Sequence, residues 1–375
     1  MKNTTVVFIP ATGAGHVFAA MEFGALLLNL RDSLTLHVFI VPDSHERFNQ
    51  SVSPLHPRMK IINLPMAEPS LENRANSFEK FIYDLFALQA GNVRTALAEV
   101  EGEGFRIAGL VMDFFCVSLM DVADELSIPS FLFLNPSAGF YRFMQSLTSR
   151  GDSPLRLSDP NSNIPGFRNP FPSGMALDPC FNTEGGYTTM QNIARRMKDA
   201  KGVVINTFAE LECRALNAID GDEQRPPTYA VGPVLNFKGY VNAGMQCGEI
   251  MAWLDKQPHS SVVFICFGST GTFPESDIKE IAKGIEKSNR RFIWCLKISE
   301  GAEAMLPEGF AERTNGRGMV CGWVKQVDIL AHSAIGGFVS HCGWNSILES
   351  IWYGVPIATL PIRADQHLNA FEMVK

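Results

Sequence analysis

Apolar residues occur along this chain in short runs that are separated by turns and by amphipathic segments. Near the start, the run from Val6 to Ile9 is followed by a glycine-containing turn at residues 10–16, and a second apolar run extends from Leu34 to Val41. The residues between them, from Val17 to Leu30, have the composition of a helix. This order of strand, turn, helix and strand predicts the beginning of a doubly wound α/β domain.

The same pattern continues through the rest of the chain. Further strands are expected at residues 110–112, 131–134, 202–208, 261–267, 292–296, 318–321 and 337–340, and further helices at residues 186–198, 210–219, 250–256, 276–288 and 344–351. After Tyr229 the periodicity disappears, which is typical of a linker. The pattern therefore predicts an α/β protein with one domain at residues 1–230, a linker at 231–247 and a second domain at 248–375.

Length, charge and cysteine content restrict the class of protein. At 375 residues, of which 46% are hydrophobic, the chain exceeds one ordinary domain. A net charge of −7 without a basic stripe argues against nucleic acid or an anionic membrane as the partner. The eight cysteines form neither a C-x-x-C pair nor a small disulfide framework, and there is no run of eighteen apolar residues. We therefore expect a cytoplasmic monomer without integral membrane contact.

Two polar residues follow strands of the first domain. His16 ends the turn after the first strand, and Asp113 directly follows the strand at residues 110–112. Because open α/β sheets bind ligands at the carboxyl ends of their strands, both side chains are expected at the same edge. A histidine there is suited to general-base chemistry, and a carboxylate fixes its tautomer and stabilises the imidazolium that forms.

Two other interpretations compete for this turn. His16 on its own is more typical of a capping or solvent-exposed histidine, and Asp113 at the same edge is what favours the base. The Gly13-Ala14-Gly15 sequence also suggests a dinucleotide-binding turn, but Phe18 stands where the third glycine of that motif is needed for close helix packing. The dinucleotide interpretation is therefore disfavoured.

A second candidate site lies at the start of the helix at residues 344–351. Trp344, Ile347, Leu348 and Ile351 give this helix an apolar face, and its other face carries Asn345, Ser346 and Glu349. The unpaired backbone N–H groups from Gly343 onward favour an anion such as a diphosphate. His341 and Ser346 can add donors to the phosphate oxygens, and Glu349 is an acceptor suited to ribose hydroxyls. The glycine-rich turn that contains Ser269 can form a further anion-binding nest.

The stretch from Trp323 to Gln366 resembles the signature box of the plant family 1 UDP-sugar-dependent glycosyltransferases. The similarity is continuous through five motifs, which are W-x-x-Q at Trp323 and Gln326, H-x-x-x-G-G-F from His332 to Phe338, H-C-G-W-N-S from His341 to Ser346, E-S at Glu349 and Ser350, and A-D-Q from Ala364 to Gln366. One departure is Val324-Lys325, where Ala-Pro is common in the family. The family also carries the base and its acid partner in motifs that match His16 and Asp113.

The resemblance implies a role for each matching residue of the box. Trp323 is expected to stack on uracil, with Val324 used through its backbone. Gln326 and Glu349 are expected to hold the ribose, and the diphosphate is expected to lie against His341, Gly343, Asn345 and Ser346. Trp344, Asp365 and Gln366 are expected to meet the sugar, and a glutamine at position 366 goes with glucose in the family.

The acceptor side is less defined by the sequence. The resemblance places the acceptor on the first domain, where Gly15 and Asn135 are candidate contacts and Phe115, Phe140, Tyr141 and Met144 are candidate apolar lining. Asn135 is equally typical of a turn residue before proline, and the four lining residues are equally typical of an ordinary core. Similarity to the family branch that acts on flavonoids, other phenolics and terpenoids points to a small lipophilic acceptor in plant secondary metabolism.

The implied fold is the GT-B type, in which two Rossmann-like domains face a cleft, and the implied reaction is an inverting transfer from UDP-glucose without a metal or other cofactor. The one D-x-D sequence, Asp220-Gly221-Asp222, lies in a polar loop and is interpreted as a solvated turn rather than a metal site. A nucleotide-sugar epimerase of the same double fold and a non-catalytic UDP-sugar binder remain alternatives.

Family members continue beyond the position of Lys375, so the second domain is expected to be incomplete. A helix beginning after Asp365 is expected to be marginal and to expose Leu368, Phe371 and Met373.

Overall fold

The computed structural model describes residues 3–42, 52–67, 69, 76–222, 225–237, 246–268, 271, 273–296 and 305–374. These residues form two compact units. The first comprises residues 1–235 together with 371–375, and the second comprises residues 236–370.

The first unit is built on a parallel sheet of seven strands in the order β3-β2-β1-β4-β5-β6-β7 among the described residues. The strands are β1 (Asn3–Ile9), β2 (Leu34–Ile40), β3 (Met59–Asn63), β4 (Phe105–Met112), β5 (Ser130–Leu134), β6 (Val203–Ile205) and β7 (Thr228–Ala230). The strand order reverses direction between β1 and β4, where Ile9 pairs with Met112. Such a reversal is the point at which doubly wound sheets bind their ligands.

Among the residues of this unit that the structure describes, seven α-helices lie between the strands. They are α1 (Ala14–Leu30), α2 (Phe78–Leu88), α3 (Ala90–Gly102), α4 (Met120–Glu125), α5 (Ala138–Leu147), α6 (Gly186–Met197) and α7 (Ala209–Asp220). Helix α1 packs on the sheet through Phe23, whose ring stacks on Phe133 at a centroid distance of 5.0 Å and on Phe8 at 5.9 Å. This packing fixes the position of α1 relative to the end of β1.

The second unit repeats the arrangement with a parallel sheet in the order β10-β9-β8-β11-β12. Its strands are β8 (Val262–Cys266), β9 (Arg291–Cys295), β10 (Gly318–Cys321), β11 (Ile335–Ser340) and β12 (Ile357–Thr359). Its helices are α8 (Gln246–Leu254), α9 (Glu275–Ser288), α10 (Phe310–Arg313), α11 (Gln326–Leu330) and α12 (Trp344–Trp352), followed by α13 (Gln366–Met373). The strand order here reverses between β8 and β11, so the residues after Cys266 and Ser340 lie at the switch point.

Two expectations about helices are corrected by the structure. Helix α1 begins at Ala14 rather than Val17, because Gly13 adopts a φ of 99° and its carbonyl accepts from the N–H groups of His16 and Val17. His16 is therefore in the first turn of a helix. At the other end of the chain, Leu368 of α13 is fully buried and the Phe371 ring lies 5.4 Å from the Phe171 ring. The expected exposure of these two residues is therefore wrong.

In the described part of the chain, no helix is both long and apolar enough to cross a membrane.

Candidate active site

The first candidate site is a hydrogen-bonded pair of side chains at the switch point of the first sheet. Nδ1 of His16 lies 2.7 Å from Oδ2 of Asp113. The two residues follow β1 and β4, which are adjacent strands, so their proximity is a direct consequence of the strand order. The pairing expected from the sequence is therefore present.

Asp113 is itself held in place. It is only 4% exposed, its backbone N–H donates to the carbonyl of Ile9 at 3.0 Å, and its second carboxylate oxygen accepts from the N–H of Phe115 at 3.0 Å. The last bond caps a 3₁₀ helix at Phe114–Leu119. Because both carboxylate oxygens have defined donors, the carboxylate has one orientation towards His16.

The His16 imidazole lies beside two aromatic rings and is hydrogen-bonded to Asp113. Its side chain is 28% exposed, and the rings of Phe114 and Phe115 lie 6.1 and 6.3 Å from the imidazole. With Nδ1 directed at the carboxylate, Nε2 is the ring nitrogen that can exchange a proton with a ligand. The site thus offers one orientated base beside apolar rings.

A chain of buried amides supports the first turn of α1, which carries His16. Asn135 donates from Nδ2 to the carbonyl of Gly15 at 3.2 Å, and its Oδ1 accepts from Asn206 at 3.3 Å. Asn206 is fully buried. Its Oδ1 accepts from the backbone N–H of Val234 at 2.7 Å, and its Nδ2 donates to the backbone carbonyl of Val234 at 3.2 Å. The backbone next to His16 is therefore connected to the chain that leaves β7. The sequence did not reveal Asn206, because its role depends on the pairing of β5, β6 and β7.

The apolar residues predicted on the acceptor side differ in their accessibility. Phe115 is partly buried next to His16, whereas Phe140, Tyr141 and Met144 on α5 are at most 1% exposed. The Phe140 ring contacts the Phe114 ring at 5.0 Å, so it is one ring removed from His16. These positions are typical of core residues that support a pocket, and direct acceptor contacts by Gly15, Asn135, Tyr141 and Met144 stay predictions.

A second candidate site lies at the switch point of the second sheet, around the imidazole of His341. The ring lies between two glycine backbones, and a Cβ atom added at Gly268 or Gly343 would be 2.6 Å from its Nε2. Only glycine permits this approach at both positions. Burial lowers the pKa of His341 to about 4, with a hydrogen bond to the Cys266 backbone opposing the shift and the charge of Arg363 adding to it. His341 is therefore neutral near pH 7, and its Nδ1 is buried without a hydrogen-bond partner among the described residues.

Helix α12 begins immediately beside this ring. Its N-cap residue, Gly343, provides no side-chain cap, and the preceding residue Cys342 has a φ of 64°. The start of α12 thus lies where the sequence placed the anion-binding site, and anion binding by its first backbone N–H groups stays a prediction. The Trp344 side chain is 5% exposed and lies in the core.

The polar face of α12 is connected to α11 by one glutamine. Nε2 of Gln326 donates to Oγ of Ser346 at 2.9 Å and to Oε2 of Glu349 at 2.6 Å. Burial raises the pKa of Glu349 to about 7, and the hydrogen bond from Gln326 opposes this shift. The structure thus brings together three residues that the sequence placed in the donor site.

Two residues that precede α11 have different exposures. The Trp323 indole is 43% exposed, which is unusual for a tryptophan and suits a stacking surface. The Val324 side chain is 5% exposed in the core, so only its backbone is accessible to a ligand.

The A-D-Q sequence forms a turn ahead of α13. Oε1 of Gln366 accepts from the N–H groups of Ile362 and Arg363 at 2.9 and 3.0 Å, which leaves its Nε2 amide as the donor to a ligand. Asn369 donates to Oδ2 of Asp365 at 2.9 Å and to the carbonyl of Cys342 at 3.0 Å. Asn369 therefore ties the turn to the start of α12, a role that the sequence did not indicate.

Ser269, predicted in the anion-binding turn after β8, lies outside the described residues. Asp222 of the D-x-D sequence accepts from Nε of Arg225 at 2.8 Å. Across the described ranges, no group of three or more His, Cys, Asp or Glu side chains is arranged to hold a metal ion.

Comparison with known proteins identifies the family. The model of a family described as UDP-glucoronosyl and UDP-glucosyl transferase matches residues 230–375. UDP-glycosyltransferase 71K1 of Malus domestica is 39% identical, and the alignment covers all of this chain and 84% of the relative. UDP-glycosyltransferase 71D1 of Arabidopsis thaliana is 38% identical with the same coverage.

Solved structures give the same result. The crystal structure of Medicago truncatula UGT71G1 complexed with UDP-glucose has a TM-score of 0.93 and 43% identity, and the match covers 99% of this chain and 83% of that one. Phytolacca americana UGT2, complexed with UDP-2-fluoro-glucose and pterostilbene, has a TM-score of 0.87 and 29% identity, with coverages of 99% and 83%. The predicted α/β fold of the GT-B type is thereby confirmed. Because relatives at this identity match the chain over its full length, the chain belongs to the UDP-glycosyltransferase family and is an enzyme that transfers a glycosyl group from a UDP-sugar.

Proposed function

We propose that this enzyme transfers glucose from UDP-glucose to a hydroxyl group of a small lipophilic acceptor, with inversion at the anomeric carbon and without a metal ion. The observation that carries the proposal is the 2.7 Å contact between His16 Nδ1 and Asp113 at the ligand-binding edge of the first sheet. The test is an acceptor panel of flavonoids, other phenolics and terpenoid alcohols, incubated with UDP-glucose and followed by the mass increase of one hexose.

The acceptor half of the mechanism depends on the orientation of His16. Asp113 accepts from Nδ1, so Nε2 carries the lone pair that removes the proton from the acceptor hydroxyl. The oxygen then attacks the anomeric carbon from the face opposite the diphosphate, and Asp113 stabilises the imidazolium that forms. A β-glucoside from the α-linked donor, identified from the anomeric proton by NMR, is the expected product. An α-glucoside would contradict inversion.

The donor half of the mechanism stabilises the leaving diphosphate. The first N–H groups of α12 and Ser346 supply donors, and the positive end of the helix dipole favours the charge that develops. Arg363 adds positive potential, since its charge already contributes to the low pKa of His341. Trp323 offers the exposed ring for uracil, while Gln326 and Glu349 are placed for the ribose.

Three further features are part of the proposal. A lipophilic acceptor suits the Phe114 and Phe115 rings beside His16, and the Phytolacca americana neighbour was solved with pterostilbene.

We propose an acceptor-binding domain at 1–230, a linker at 231–247 and a donor-binding domain at 248–375. The acidic composition supports a cytoplasmic monomer.

Two other functions are distinguished by simple assays. A nucleotide-sugar epimerase would convert UDP-glucose to its epimer without any acceptor. A non-catalytic binder would bind UDP-glucose and transfer nothing, which the orientated His16 and Asp113 pair argues against.

Turnover should not require a divalent metal ion. The diphosphate charge is already met by the N-terminus of α12, Ser346 and the potential of Arg363. We expect the rate of glucosyl transfer to be unchanged in excess EDTA, with a metal-dependent enzyme treated in parallel as the control. Loss of activity in EDTA that added Mg²⁺ or Mn²⁺ restores would overturn metal independence.

The sugar donor should be UDP-glucose. Gln366 is orientated by Ile362 and Arg363, so its amide donates towards the sugar, and one such hydrogen bond discriminates between hydroxyl epimers by about tenfold. We expect kcat/KM for UDP-glucose to exceed that for UDP-galactose and UDP-glucuronate by at least about tenfold.

The matched variant for this prediction is Gln366→Glu, which keeps the acceptor oxygen for the two backbone N–H groups but cannot donate to the sugar. It should reduce the preference for UDP-glucose while retaining affinity for UDP. Faster transfer from UDP-galactose by the unaltered enzyme would refute the assignment.

Binding of the uridine part should release a proton from Glu349. Burial raises the pKa of its carboxyl group to about 7, so the group is largely protonated at pH 6 in the free enzyme. Ribose hydroxyls donate to the ionised form and therefore lower this pKa in the complex. The affinity should accordingly rise with pH from about 5 to 7 and become constant above that range.

Uridine is the appropriate probe, because it has no phosphate group that titrates near neutral pH. Inhibition by uridine, measured from pH 5 to 8, should strengthen with pH for the unaltered enzyme and for Glu275→Gln, a surface control on α9. It should be independent of pH for Glu349→Gln. A flat profile for the unaltered enzyme would show that Glu349 does not meet the ribose in its ionised form.

A further inference from the structure

Three cysteine side chains lie next to one another at the carboxyl edge of the second sheet. Cys266, Cys295 and Cys321 are the last residues of β8, β9 and β10, and the strand register pairs Cys295 with each of the other two. The Sγ atoms of Cys295 and Cys321 are 3.6 Å apart, and Cys266 is the register partner of Cys295 on its other side. We call these three residues the thiol row.

Each outer member of the thiol row is followed, two residues later in the chain, by a residue at the proposed donor site. Cys321 is two residues before Trp323, the proposed uracil platform. On the other side, Cys266 is two residues before Gly268, whose backbone packs against the imidazole of His341. Movement of β8 or β10 at these residues therefore displaces a group that the donor is proposed to contact.

We propose that the thiol row is a site of reversible oxidation, in which a disulfide between Cys295 and one of its neighbours weakens binding of the UDP-sugar. The effect on binding rests on the donor site proposed above. Because Cys295 is the central member, every disulfide between adjacent members of the row includes it.

The backbone spacing is compatible with this bond. Neighbouring strands are about 4.7–4.9 Å apart, which falls within the Cα separations of about 4.4–6.8 Å found in disulfides. The sulfur atoms must approach from 3.6 Å to about 2.05 Å. A shift of this size at the end of a strand would displace the backbone that leads to Trp323 or to Gly268, which packs against His341.

The environment of the thiol row favours oxidation of its members over oxidation of Cys116 or Cys180. Cys266 and Cys295 are partly accessible, and the neighbouring Cys295 thiol lowers the pKa of the Cys266 thiol while its own pKa is raised. By contrast, Cys116 and Cys180 are buried, and burial raises the pKa of both. The thiolate is the reactive form, so Cys266 is the first residue to react.

The oxidant is a peroxide. The Cys266 thiolate attacks one peroxide oxygen, the O–O bond breaks, and a sulfenic acid forms with release of one water after protonation. The sulfur of Cys295 then attacks the Cys266 sulfur, and the sulfenic oxygen leaves as a second water with the proton of Cys295. Two thiols and one hydrogen peroxide thus give one disulfide and two waters, and thiol exchange can pass the bond to Cys321.

The direct test compares UDP affinity of the whole protein before and after treatment with hydrogen peroxide. Calorimetry first establishes UDP binding by the reduced protein, and peptide mapping locates any disulfide. We expect a disulfide at Cys295, a loss of UDP affinity of about tenfold or more, since a displacement of about 1 Å has effects of this order, and recovery with dithiothreitol. Cys213→Ser, which removes an exposed thiol on α7, should behave as the unaltered protein does, and Cys295→Ser should retain its affinity after peroxide.

A second measurement needs no variant. If the oxidised protein binds UDP tenfold more weakly, UDP must by linkage favour the reduced form to the same extent. Saturating UDP should therefore raise the midpoint potential of the disulfide by about 30 mV for each tenfold loss of affinity. A purely structural disulfide would show no such shift.

The outcomes separate the two proposals. Absence of UDP binding by the reduced protein would contradict the proposed function. Normal UDP binding that is unaltered by oxidation, a disulfide that does not include Cys295, or a midpoint potential that UDP does not change would overturn the role of the thiol row.

Discussion

Replacement of His16 by alanine should lower kcat by about 10²- to 10⁴-fold, which corresponds to about 2.7–5.5 kcal/mol of transition-state stabilisation. The imidazole is the group at the edge of the first sheet whose Nε2 can remove a proton while Asp113 holds Nδ1 at 2.7 Å. The groups proposed to bind UDP lie in the second unit, so its affinity should change little. Turnover and UDP affinity, measured separately, check both expectations.

A matched control is His259→Ala, which removes an exposed histidine that belongs neither to the His16–Asp113 site nor to the site around His341. This control should retain the kcat of the unaltered enzyme. Near-normal turnover by His16→Ala would eliminate His16 as the base, whereas a large loss of UDP affinity would indicate that the substitution disturbs more than proton transfer.

The sequence was sufficient to predict which side chains lie at the ligand-binding edge of each sheet. Parallel strands place their carboxyl ends at one edge, so residues that follow strands lie there without knowledge of the tertiary packing, as His16 and Asp113 do in the first sheet and His341 does in the second. The register between Ile9 and Met112 then brings His16 and Asp113 together.

Contacts that depend on packing between helices and strands could not be predicted from the sequence. The link from Asn135 through Asn206 to Val234 requires three strands to be in register, and the bond from Gln326 to Glu349 requires α11 to lie beside α12. The cysteines that form the thiol row were visible as single residues at strand ends, but their adjacency follows only from the strand order.

Some elements were missed for a more local reason. The segment after β2 contains β3, α2 and α3, which were not predicted, although Phe81, Ile82, Leu85 and Phe86 give α2 a buried face. Helix α1 began early because a glycine with positive φ acts as its N-cap, and the sequence alone does not state that φ.

Asp113→Asn should reduce kcat about as severely as His16→Ala, by about 10²- to 10⁴-fold, although it preserves the shape of the side chain. The N–H of Phe115 donates to one oxygen of Asp113 at 3.0 Å, and an asparagine keeps its own oxygen in that position. Its amide NH₂ group then faces Nδ1 of His16. The ring must accept a hydrogen bond at Nδ1 and keep its proton on Nε2, so the nitrogen directed at the acceptor has no lone pair to remove a proton.

The comparison with Asp113→Ala tests this explanation. Alanine removes the cap on the 3₁₀ helix, which costs about 0.5–2 kcal/mol of stability, but leaves His16 free to adopt either tautomer. We therefore expect Asp113→Asn to melt close to the unaltered enzyme and to turn over no faster than Asp113→Ala, which melts at a lower temperature. If Asp113→Asn instead retains most of its turnover, the carboxylate does not set the tautomer of His16, and the proposed base is orientated by other contacts.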